Sequence, residues 1–184
     1  MDQNYIDSIQ KQFNYYKSLG DKSFEQLDES HFFWKNSEND NSIAIIAKHI
    51  AGNMLSRWTN FYSEDGEKEW RNRDQEFINS FTTKEEVITF WERGWHCLFS
   101  IINSLKPNDL DRIIYIRNEG HTVLEAINRQ LCHYSFHIGQ IVFLGKMLLA
   151  DDWKSLSVPR GQSEFYNKEK FKKSKHRGHF TDDL

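Results

Sequence analysis

Two histidines, His133 and His137, lie four residues apart in the run Leu131-Cys-His-Tyr-Ser-Phe-His-Ile-Gly-Gln140. In a helix that spacing puts both imidazoles on one face, one turn apart, with Cβ atoms roughly 5–6 Å from each other. Rings so placed can share one divalent metal through nitrogens at about 2.0–2.1 Å. Gln140 falls within about 20° of His133 on a helical wheel, so the stripe reads His-His-Gln, with Ala126 above and Leu144 below. A polar patch inside an apolar stripe needs partners if it is buried, and a metal supplies them. The other histidines are His31, His49, His96, His121, His176 and His179. His49 is the best third ligand. It sits in Ala47-Lys-His-Ile-Ala-Gly-Asn53, with Asn53 and Ser56 within about 40° of it. If the two stripes face each other, three imidazoles converge, as in catalytic zinc sites that keep a coordination position open. Imidazole also suits nickel, iron and copper, so the ligand set does not choose the metal. The bland alternative is a set of solvated or hydrogen-bonded core histidines, which spacing alone does not exclude.

The elements that must carry these residues are helical. Apolar residues recur at three and four over about 4–19, 42–60, 84–105 and 122–150. The first segment is expected to stop at Gly20. Thr83-Lys-Glu-Glu86 and Thr122-Val-Leu-Glu125 are capping boxes that open the third and fourth. Four helices of this length predict an all-α four-helix bundle. Its connections are long: a charged stretch over 61–81, and 108–121, where Arg112-Ile-Ile-Tyr-Ile-Arg117 reads as a short extended segment before the last helix. Residues 1–165 are assigned to the bundle. Residues 166–184 form a basic, solvated tail with Lys168, Lys170, Lys172, Lys173, Lys175 and Arg177.

Composition narrows the function classes. The 184 residues carry a formal net charge of −3, which disfavours nucleic acid as a partner. No run approaches the ~18 apolar residues of a membrane span. The N-terminus lacks a basic region followed by an apolar run, so a cytoplasmic location without a leader is expected. Cys97 and Cys132 read as free thiols, Cys132 as packed and Cys97 as lacking an activating base. Trp91 and Trp95 read as core or dimer interface, and His121 as structural or exposed. No paired carboxylates and no Ser-His-Asp set accompany the histidine stripe, so no catalytic residue is assigned.

The layout resembles the DinB/YfiT-like superfamily of bacterial four-helix bundles: a histidine in the second helix and His-x-x-x-His-x-x-Gln in the fourth. Within it the chain is most similar to a Bacillus-type subgroup of uncharacterised function, through Gly52-Asn-Met-Leu-Ser-Arg-Trp58, Asp65-Gly-Glu-Lys-Glu-Trp-Arg-Asn-Arg73 and Ser157-Val-Pro-Arg-Gly-Gln162. The resemblance implies a divalent metal, nickel or zinc foremost, on His49, His133 and His137. It also implies a homodimer, and an activity of the kind known in the superfamily, where thiols such as bacillithiol attack small electrophiles. Asn53, Arg57, Gln140 and Arg160 are candidate substrate contacts; Arg57 and Arg160 could each pair with an anion, although packing of the arginine stem or plain exposure explains them as well. The expectation is a metal-dependent thiol transferase. The competing expectation is a non-enzymatic, stress-associated dimer whose metal is structural or vestigial.

Overall fold

The computed structural model describes residues 2–182, and it is mostly helical. Four long helices dominate: α1 (Asp2–Gln26), α3 (Ile43–Trp58), α5 (Lys84–Ile102) and α6 (Val123–Leu149). Three short ones intervene or follow: α2 (Glu29–Phe33), α4 (Arg73–Glu76) and α7 (Ser163–Phe171). The two strands β1 (Ile113–Ile116) and β2 (Glu119–Thr122) form an antiparallel hairpin. Ile114 and Ile116 point inward while Ile113 and Tyr115 face solvent, the period-two pattern of a half-covered strand. Arg117 and Asn118 both have positive φ, as a two-residue hairpin turn of the primed type requires. The extended segment expected before the last helix is therefore this hairpin, and both capping boxes are formed as the sequence predicts.

The first helix differs from expectation. It does not stop at Gly20 but continues to Gln26. Gly20 is there for space: a Cβ on it would lie 2.6 Å from the Trp91 ring of α5. A similar close approach joins α3 to α5, where a Cβ on Gly94 would lie 2.7 Å from the Ala51 Cα. Trp91 and Trp95 are wholly buried, which settles their role as core. Cys132 is exposed rather than packed, and Cys97 is half-buried, 3.5 Å from Thr59 Oγ1.

Helix α3 is central. Every residue of it except Lys48 and Leu55 is buried. A helix buried all round needs cover on every side. Helices α5 and α6 cover two sides, and the charged 61–81 connection with α4 covers another. That connection is pinned in place. Asp65 accepts from the turn amides of Arg117 and Asn118 at 2.8 Å each, and the Gly66 amide donates to the Tyr115 carbonyl at 2.8 Å. The basic tail runs back along α1: Arg177 donates to Asn4, Lys11 pairs with Asp182, and Phe180 packs edge-on against Tyr15. No helix among the described residues is long and apolar enough to cross a membrane.

Candidate metal centre

The rotation of α6 against α3 is fixed one residue from His133. Tyr134, fully buried, receives a hydrogen bond from Trp58 Nε1 (3.1 Å) and donates to Asn53 Oδ1 (3.0 Å). Burial holds the tyrosine hydroxyl well above its ordinary pKa, so it stays a donor. With that register locked, His133 and His137 face His49. The Nε2 atom of His133 lies 3.3 Å from Nε2 of His49 and 3.2 Å from Nε2 of His137. The ligand atoms of all three lie within 4.8 Å of one another.

The outer nitrogens decide which tautomers are present. His49 Nδ1 lies 2.8 Å from Glu76 Oε2, so it carries the proton and donates to the carboxylate. His137 Nδ1 donates in the same way to Gln140 Oε1 at 3.0 Å. The Nε2 lone pairs of His49 and His137 are therefore both directed inward. A proton on His133 Nε2 could serve only one of those two neighbours; a cation in the centre satisfies all three. At metal–nitrogen bonds of about 2.1 Å, tetrahedral ligands stand about 3.4 Å apart, close to the two separations observed. The three residues fit a divalent ion by number, protonation and spacing. Burial is the main reason that His133 is pushed down to about 3, with His137 and His49 adding to it. Burial also lowers His137. Both rings are thus kept neutral, the form that ligates.

Behind His49 stands a buried ionic cluster that the sequence does not announce. Glu76, in α4, is 6% exposed. It takes a fork of two hydrogen bonds from Arg71, Nε to Oε1 at 2.8 Å and Nη2 to Oε2 at 2.9 Å. Arg71 also reaches Glu67, which pairs in turn with Arg57 at 3.1 Å. Burial pushes the Glu76 carboxyl up, but the bonds from His49 and Arg71 outweigh it and leave it below the usual carboxylate range. Gly52, one turn beyond His49, leaves room for this carboxylate: a Cβ there would lie 2.6 Å from Glu76 Oε1. Phe77 stacks on the His49 ring with centroids 4.8 Å apart. A glycine in mid-helix was the one available signal of a close approach on that face.

Gln140 is beside the histidines and holds His137. Asn53 is buried and engaged with Tyr134. Arg57 is buried, its guanidinium committed to the Gly66 carbonyl and Glu67. Ser56 donates to the same carbonyl at 2.7 Å. Arg160 is exposed on the turn that precedes α7 and is not among the hydrogen-bond partners of the histidines. A shallow groove of about 430 Å3 borders the centre on the Gln140 side, walled by Ile46, Phe136, Phe143 and Leu144.

A family model described as "Protein of unknown function (DUF1572)" matches residues 1–162. No curated protein and no solved structure matches the chain.

Proposed function

The chain belongs to the DUF1572 family, and we propose that it is a divalent-metal-dependent enzyme, a thiol transferase of the bacillithiol type acting on small electrophiles. One observation carries the metal part: three imidazoles converge with Nε2 separations of 3.2 and 3.3 Å, the outer nitrogens of His49 and His137 held by Glu76 and Gln140. The thiol part rests on the resemblance of this layout to the DinB/YfiT-like bundles, whose four-helix type and homodimeric state belong to the same reading.

A divalent cation held there is a Lewis acid that favours the thiolate form of a thiol reaching it. The chain's residues supply the setting. Glu76 and Gln140 keep the protons of His49 and His137 on the outer nitrogens. Phe77 and the buried α3 face exclude water from the His49 side. The groove beside Gln140 offers Phe136, Phe143 and Leu144 to an apolar electrophile, with Asp40 its one charged lining residue. A site closed by structural zinc has four protein ligands; among the described residues the cluster holds three, which favours the open, catalytic reading over a purely structural one.

The test is a transfer assay on nickel- or zinc-loaded and chelator-stripped protein. Bacillithiol or glutathione is offered with an aryl chloride; the S–C bond forms, chloride leaves and the thiol proton passes to solvent. Transfer that requires the loaded form is the expected result. Loaded protein that leaves every thiol at the background rate supports the non-enzymatic module instead.

A further inference from the structure

We propose that Glu76, clamped by Arg71 and admitted by Gly52, is a positioning residue that sets His49 for metal capture, so that the affinity of the centre is governed from the 61–81 connection. The inference rests on the metal reading above and goes beyond it. His133 and His137 come from one helix, and His137 is oriented by Gln140 of that same helix. His49 has no such neighbour on α3; its ring is aimed by a carboxylate 27 residues further along the chain.

The clamp is built rather than incidental. Arg71 grips both carboxylate oxygens, and its own side chain is only 3% exposed. A single proton acceptor would serve a core histidine equally well through a backbone carbonyl or a serine. A buried, ionised carboxylate requires a partner cation, and the chain supplies one that contacts it through two nitrogens. Gly52 is the third component. In mid-helix a glycine is unfavourable relative to alanine, and the space it leaves is filled by Glu76. Carboxylates that hold ligating imidazoles typically contribute 10–100-fold to metal affinity.

The consequence is a coupling between metal and loop. The 61–81 connection is fastened to the hairpin through Asp65 and Gly66 and to α3 through Arg57 and Ser56. Glu76 is the ionic end of that chain of contacts, meeting His49 beside the stacked Phe77 ring.

The test measures nickel and zinc affinity by competition with a chromophoric chelator, on the full chain, with helix content followed by circular dichroism. Glu76→Gln is expected to weaken binding 10–100-fold. Gly52→Ala is expected to do the same without removing any charged group, because the new methyl displaces a side chain and not the backbone. In a His49→Ala background, Glu76→Gln is expected to have no further effect, whereas a merely structural role lowers the residual affinity again. Affinities of Glu76→Gln and Gly52→Ala within twofold of the parent overturn the inference and leave the metal centre standing. An equal loss in the His49→Ala background also overturns it. A parent protein that binds neither ion removes the metal reading and this inference together.

Discussion

At the residue scale, the chemistry depends on where three protons sit. Outer protons on His49 and His137 leave inner lone pairs for a cation, and burial keeps His133 uncharged. His133→Ala or His137→Ala is expected to lower metal affinity at least 10-fold with helix content retained, since apolar burial holds the fold. His96→Ala, at an exposed position, is expected to leave it unchanged; chelator competition reads both. The same burial fixes a pH dependence. In the unfolded chain a histidine titrates near 6.5, whereas folded His133 titrates at about 3. Below pH ~6.5 the unfolded state binds a proton that the folded state refuses, so the stabilisation present at neutral pH is lost as pH falls toward ~3. The Tm of chelator-treated protein is expected to drop through that window, and the slope to flatten in His133→Ala. The histidines were legible because helical spacing displays them. Glu76 and Arg71 were not, because a charged connection has no period that shows which of its carboxylates turns inward.

Elements were legible where an apolar period runs long enough to be seen. The four long helices match the sequence reading within a few residues, apart from the end of α1. There the sequence shows a glycine, and glycine more often ends a helix than continues one. Only the three-dimensional neighbour, Trp91, reveals that Gly20 was selected for its missing Cβ. Helices α2 and α4 are shorter than any periodic window, and α7 buries none of its residues, so no stripe marks it. The close α3–α5 contact gives an element-scale expectation. Gly94→Ala places a methyl against the Ala51 backbone and is expected to cost about 1–3 kcal/mol, measured as a fall of several degrees in Tm. That loss also bears on the site, because α3 carries His49.

For the whole molecule, burial decides between the two readings the sequence left open for the third helix. Trp91 and Trp95, read as core or dimer interface, are wholly buried within one chain. Among the exposed apolar side chains, Phe136 at 64%, Phe143 at 66% and Met147 at 47% share one strip of α6. The proposed homodimer is expected to give twice the 22.0 kDa chain mass by light scattering at micromolar protein; the mass of a single chain contradicts it.

The central claim is that His49, His133 and His137 together hold one divalent ion. The most direct measurement is elemental analysis of protein reloaded with nickel or zinc and freed of excess metal, on the parent chain and on each single alanine variant at these positions. The expected result is about one ion per chain for the parent and far less for all three variants. A parent chain that retains no ion, or variants that retain as much as the parent, contradicts the claim.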